Sequence, residues 1–556
     1  MQEDIELQPR FQSLFKSNEP PSHLDVLAIS QILEDRLAQI FELGQQLAKL
    51  RTEVHVYETL LSGIRKLPPE LLTEIFVHLI APINERYYRY SIYSCYPRVD
   101  ALHQSSPIVL SHVCRKWRSL ALSTPQLWST ISVPHRTPLG CFNYANLVER
   151  CITHSRVSPL YITLAVLNST NAEFRSPTAK GLRSSSALDT LDKFMPEISR
   201  WRYFHLDILT SQTVLSERSF PPLPLSGAPN LYKILFRTYS PNFDSSEVLW
   251  ALELLRASPN LHHILFLAPI SNLVEAPWVH LQHFESRNGM RLRDLFLIFE
   301  GCPALENCIA CFELEDEGPS LPSFRESDPV IVLSQLRKLQ LTHLRQAELI
   351  AILQWLTAPS LTDLIFAGHH VSDSWPDELF RSFLARSACE LNTLSLSRLS
   401  YSDANMMDYL RLPNVRHTLE HLVLDKWKTP ISPELLNFLT FKFSSESPGS
   451  SPVLPKLNDV TFAIHAIVQA VPLREFFLSR WYEGSRNHVP FPVAALQRLA
   501  VILLVPYLPN ATVSGEQIRR IFSRVEDMVE IDLETYVVNG GPDYPGIEKL
   551  KNLDEI

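Results

Sequence analysis

Cys302, Cys308 and Cys311 stand at a Cys-x5-Cys-x2-Cys spacing that would suit the thiolate ligands of a metal ion. A closed zinc site takes four ligands in tetrahedral reach, and no second Cys or His pair follows at a matching interval. The three residues therefore read as buried thiols in a strand region, and neither a metal nor another cofactor is expected. The doublets His262-His263 and His369-His370 have no carboxylate at motif spacing and read as ordinary histidines. No Gly-x4-Gly-Lys-Ser/Thr phosphate loop, Gly-x-Ser-x-Gly elbow or His-Glu-x-x-His helix occurs. Only 15 glycines accompany 41 prolines, so glycine-lined phosphate cradles are scarce by supply. Triads assemble in space rather than along the chain, yet no residue pattern points to one. The expected function is binding, not catalysis.

The composition agrees. A chain of 556 residues exceeds one ordinary core and implies several domains or one elongated array. Apolar residues make up 45% and charged residues 20%, which predicts folded structure. A formal charge of −9 argues against nucleic-acid and anionic-membrane partners. The acidic start Met1-Gln2-Glu3-Asp4 is unlike a secretory signal, and no long uncharged apolar run could span a bilayer. The eight cysteines are sparse and irregularly spaced, as in reduced intracellular proteins. The expected location is intracellular, cytoplasmic and/or nuclear.

Within residues 1–63 the chain carries a heptad. With position a at Val26, Leu33, Ile40, Leu47, Val54 and Leu61, position d falls on Ile29, Arg36, Leu43, Leu50, Tyr57 and Ile64. Eleven of these twelve are apolar and no proline interrupts them, so one long amphipathic helix is predicted. Glu53 would meet Glu58 in a parallel dimer, and Ile32, Leu37 and Leu60 widen the stripe. Two readings stay open: self-association through this helix, or packing on the chain's own body.

Residues 134–534 repeat the pattern apolar-x-x-apolar-x-apolar. Windows start at Trp201, Leu231, Leu261, Leu292, Leu336, Leu361, Leu391, Leu419, Leu457, Leu496 and Met528, with a doubtful one at Leu305. Leu336-Arg-Lys-Leu339-Gln-Leu341 is an example. Helix-compatible stretches such as Ser246–Arg256 and Gln346–Trp355 lie between them. A strand–helix unit buries its leucines only against its neighbours, so this period predicts a degenerate leucine-rich-repeat-like α/β solenoid. Loops are expected at 168–186, 315–329 and 444–455, and a C-terminal tail at 535–556.

Residues 64–133 carry the most specific signal. In Leu67-Pro68-Pro69-Glu70-Leu71-Leu72-Thr-Glu-Ile75-Phe76, proline opens a helix where its missing N–H costs nothing. A second stripe is Leu110, Val113, Cys114, Trp117 and Ala121, and Thr124-Pro125-Gln-Leu127-Trp128 predicts a short third helix. Three helices of this size bury little by themselves and need a partner surface. The two runs resemble the F-box, and the layout of heptad helix, split F-box and degenerate repeats is similar to a fungal class of F-box proteins. That resemblance implies docking on a Skp-family adaptor, and through it on a cullin–RING ubiquitin ligase. The implied contacts are Leu67, Pro68, Leu71, Leu72, Ile75, Phe76, Leu110, Val113, Cys114 and Trp117. Residues 80–106 insert between the halves with five tyrosines (87, 88, 90, 93 and 96) and three arginines (86, 89 and 98). They read as a loop rather than as an RNA-stacking platform. The implied function is a substrate receptor recruiting a protein target of unknown identity through the repeats. The alternative is a leucine-rich-repeat scaffold acting outside a ubiquitin ligase.

The target face follows from strand geometry. In each window the first, fourth and sixth residues turn to the core, and the fifth turns outward. Leu235, Leu265 and Phe296 are consecutive bulky outward positions, and form the expected target-binding patch or lie beneath the chain's own segments.

Overall fold

The computed structural model describes residues 11, 14, 20–80, 107–133, 144–167, 190–209, 220–238, 246–268, 270, 277–312, 330–369, 375–426, 431–441, 453–464, 470–480, 493–494, 498–504, 532–539 and 546–550. The expected loops at 168–186 and 315–329 lie outside them, as do 81–106 of the insertion and most of 444–455. The chain divides into two compact units, Met1–Leu79 and Ile80–Ile556. The division falls at the end of the first helix of the F-box-like segment.

In the first unit, α1 spans His23–Leu61 without interruption. Ser22 starts it by accepting a hydrogen bond from the Asp25 amide at 3.3 Å, which satisfies one of the otherwise unpaired first-turn donors. None of its residues is buried. A 3-10 turn at Gly63–Lys66 leads to α2 (Pro69–Ile80), whose first residue is the proline that the sequence placed there.

The second unit contains α3 (Pro107–Val113) and α4 (Arg115–Ser123), followed by a 3-10 turn at Pro125–Trp128. The single stripe expected over Leu110–Ala121 is therefore two helices. Cys114 adopts extended backbone between them, and its Sγ accepts from the Trp117 amide at 3.4 Å as an N-cap. Arg118 Nε bridges the break by donating to the Ser111 carbonyl at 2.8 Å. Leu127 and Trp128 are buried, and the Trp128 indole donates to the Ala121 carbonyl at 2.7 Å.

From here the chain builds a 15-stranded sheet whose strand order follows the chain order. Its strands are β1 (Thr130–Val133), β2 (Leu160–Leu167), β3 (Trp201–Leu209), β4 (Lys233–Thr238), β5 (His263–Leu267), β6 (His283–Met290) and β7 (Asn307–Phe312). After the short β8 (Ile331–Val332) come β9 (Lys338–Leu344), the short β10 (Leu356–Thr357), β11 (Asp363–Gly368), β12 (Thr393–Ser397) and β13 (His421–Asp425). Strands β14 (Asp459–Ile464), β15 (Arg498–Leu504), β16 (Asp532–Asn539) and β17 (Gly546–Leu550) complete it. Every pairing in the sheet is parallel except β16 with β17. The short β8 and β10 pair with each other. Residues 535–539 and 546–550, within the expected C-terminal tail, are sheet strands.

The leucine windows explain this arrangement. Ile234, Ile264, Phe284, Cys308, Leu339, Leu364, Leu394 and Leu422 stand in register on neighbouring strands, none more than 1% exposed. Burying one such large apolar side chain contributes about 1.5–3 kcal/mol. The first residues of the windows at Leu231, Leu261, Leu305, Leu336, Leu361, Leu391, Leu419 and Leu457, and Leu281 at the corresponding place before β6, are all fully buried. The residue after each continues a backbone ladder: Tyr232, His262, Gln282, Glu306, Arg337, Thr362, Asn392, Glu420 and Asn458 each donate to the preceding unit at 2.8–2.9 Å. Strand pairing and leucine burial thus share one register.

The window at Leu292 is not a strand. Residues Leu292–Gly301 form a helix, because Leu292, Leu295, Phe296 and Phe299 recur at i, i+3, i+4, i+7 and bury one face. The strands there come from Leu281-x-x-Phe284-x-Ser286 and from the window at Leu305. Serine, cysteine and alanine occupy their later core positions and weaken the apolar pattern.

Candidate protein-docking surfaces

Each unit carries one part of the F-box-like segment. In the first, α2 divides its apolar residues between two faces. Leu72 and Phe76, one turn apart, are 1% and 0% exposed. Leu71 and Ile75, also one turn apart, are 52% and 40% exposed, with Leu79 beside them at 58%. Leu67 is half-buried and Pro68 exposed. The N-terminal turn is tied down by the Leu72 amide donating to the Pro68 carbonyl at 3.1 Å.

In the second unit, Leu110 and Trp117 are half-buried, while Val113 and Cys114 are exposed. Val109 lies open as well. Eight of the ten expected contact residues therefore keep accessible surface. Leu72 and Phe76 are buried within the folded chain. Periodicity alone marks α2 as amphipathic, but it cannot say which of two adjacent apolar stripes is covered.

The expected target patch does not form. Leu235 is 2% exposed, Leu265 is half-buried, and Phe296 is a buried helical residue with its ring 6.0 Å from that of Phe299. The ladder through Leu235 and Leu265 continues instead to Glu285, Ile309, Gln340, Ile365, Ser395 and Val423. This row faces away from the leucine core, and most of its members are half-buried.

The same face holds two ionic clusters that motif reading passed over. On β3, the Asp207 carboxylate is 2.8 Å from His205 Nε2 and accepts from Arg237 Nε on β4 at 3.0 Å. Burial alone would raise the Asp207 pKa. The nearby charge of His205, and the hydrogen bonds from His205 and Arg237, outweigh it and hold the group below its ordinary value. On β6, Glu285 is bonded by the Arg287 guanidinium and lies 3.5 Å from His283 Nε2. Both clusters leave a trace in the sequence, since His205-x-Asp207 and His283-x-Glu285-x-Arg287 put polar groups on one face of a strand at period two.

At the strand starts, Arg202 covers the Tyr232 ring at 4.4 Å, Tyr232 stacks on His262 at 4.3 Å, and His262 stacks on His280 at 5.7 Å. One row inward, burial first and then the charges of Lys233, His283 and His262 push the His263 pKa down to about 4.

Cys302, Cys308 and Cys311 are all buried. Burial pushes the Cys302 thiol up to about 12 and raises the other two, so all three stay protonated at neutral pH. Cys311 Sγ lies 3.2 Å from His343 Nδ1. Among the described residues no group of three His, Cys, Asp or Glu is placed to hold a metal ion. Among the same residues no helix is long and apolar enough to cross a membrane. No protein-family model and no curated protein matches the chain.

Proposed function

We propose that this chain is an F-box-type substrate receptor, which holds a Skp-family adaptor through its F-box-like helices and recruits a protein target through a leucine-rich-repeat-like solenoid. The observation that carries the reading is the pair Leu71 and Ile75. They lie in a Leu-Pro-Pro-Glu-Leu-Leu helix start, yet are 52% and 40% exposed beside a buried Leu72 and Phe76. A helix that covers one apolar stripe and leaves the adjacent one open has a surface suited to a second protein. Val109 and Val113 give the second half of the segment an apolar surface of its own. The repeat reading is supported by parallel strands whose order follows the chain and by leucines recurring in register.

The test is affinity capture of the full-length tagged chain from cells, followed by blotting for the adaptor and a cullin. Capture of both supports a ligase receptor. Adaptor without cullin would assign the chain to a scaffold outside the ligase, and capture of neither would overturn the reading.

A further inference from the structure

We propose that α1 pairs with α1 of a second copy of this chain as an antiparallel coiled coil. The helix is 39 residues long, about 58 Å at 1.5 Å per residue, and none of its residues is buried. Its heptad seam is open along the whole length, from Val26 at 45% through Ile40 at 64% to Tyr57 at 66%. Helical propensity seldom sustains an isolated helix in water, and most of the stability comes from covering an apolar face. Among the described residues, none of the a and d positions of α1 is buried. An apolar period of 3.5 over more than four heptads is the pattern that a second helix of the same period covers.

Charge decides the orientation. In a parallel pair, Arg36 at position d would face the partner's Arg36 inside the seam, and Glu53 at g would face the partner's Glu58 at e. Both juxtapositions repel. An antiparallel pair centred between Phe41 and Glu42 removes both. Ile40 then faces the partner's Leu43, Ile29 faces the partner's Val54, and Arg36 faces the partner's Leu47. His23 comes near the partner's Glu58, an attractive pairing. Arg36 already leans to the seam edge, where its Nη1 donates to Gln39 Oε1 at 2.9 Å, so its apolar stem can line the seam with the charge at the rim. The midpoint of this register lies next to Glu42, the central residue of His23–Leu61, so almost the whole helix overlaps. A shift by one heptad would strip apolar residues from both ends.

The test uses the full chain. Light scattering at about 10 µM should give twice the 63.6 kDa chain mass. Leu33→Glu with Leu47→Glu, both at exposed positions, should return it to one chain mass with the thermal transition of the sheet unchanged. Mixed under oxidation, the single variants Ile29→Cys and Val54→Cys should form a disulfide with each other, and Ile29→Cys alone should form none through α1. A monomeric parent chain overturns the pairing, with α1 then taking some other occupant. An Ile29→Cys homodisulfide, absent from the parent, overturns the antiparallel arrangement.

Discussion

Asp207 on β3 and Arg237 on β4 are directly opposite each other in the parallel ladder, and Arg237 Nη2 donates to Asp207 Oδ2 at 2.5 Å. The carboxylate is 3% exposed, and His205 Nε2 lies on its other oxygen. Asp207→Asn keeps the shape but removes the charge that balances Arg237. Breaking one side of a buried pair costs about 3–5 kcal/mol, and this loss should appear as a lowered urea midpoint at pH 7.

The same carboxylate sets an acid limit. Its folded pKa lies below the ordinary 3.8, so its stabilisation is complete above that value and is lost as pH falls through the lower folded value. Urea unfolding of the parent should weaken through this window, and Asp207→Asn should flatten that part of the profile.

His263 acts at a higher pH. Its folded value of about 4 lies below the ordinary 6.5, so the folded chain resists protonating it. Stability is complete above pH 6.5 and declines as pH falls toward 4. His263→Gln should reduce the decline between those values and leave the loss below 3.8 in place. An unchanged slope in that window would remove this role.

Leu71 and Phe76 separate docking from folding. Leu71→Ala together with Leu67→Ala should lower adaptor affinity by about 2 kcal/mol per anchor while the melting temperature holds. Phe76→Ala, at a fully buried ring, should instead destabilise by about 3–5 kcal/mol. Calorimetry on the variants, beside adaptor titration, distinguishes the two effects.

Gly227 sits at φ +59, and a Cβ there would come 2.3 Å from the Ala257 carbonyl oxygen. That oxygen also accepts from the Ala228 amide at 3.0 Å, so it cannot move freely. Gly227→Ala therefore combines a left-handed backbone with a backbone clash. It should cost more than about 1 kcal/mol, read as a lowered thermal midpoint.

Arg480 is fully buried and donates to the carbonyls of Leu454 at 2.9 Å and Val453 at 2.7 Å. Arg386 does the same for Leu353 at 2.7 Å and Leu356 at 3.0 Å. Each arginine thus satisfies carbonyls of the chain ahead of it. Arg480→Leu would orphan those acceptors, at about 1–3 kcal/mol for each that water cannot reach. Hydrogen exchange should rise first in the helix Ala470–Arg480.

The sequence alone determined the features that depend on local spacing. The unbroken heptad specified α1 within a few residues, Pro69 marked the start of α2, and the first, fourth and sixth leucines located most sheet strands. Those signals are strong because one period repeats, and in α1 no proline interrupts it. Tertiary structure decided what local spacing leaves degenerate. Leu71 and Leu72 are identical side chains in adjacent positions, and only the packed chain leaves one open and encloses the other. Leu292–Gly301 satisfies both a strand window and a helical stripe; the neighbouring β6 and β7, with Ser286 and Ala310 on their core side, take the two places in the sheet and leave it helical. Asp207 and Arg237 lie 30 residues apart, and no local pattern joins them. Their pairing exists because the parallel register sets the two strands side by side, where the free energy of satisfying a buried carboxylate depends on what stands opposite it.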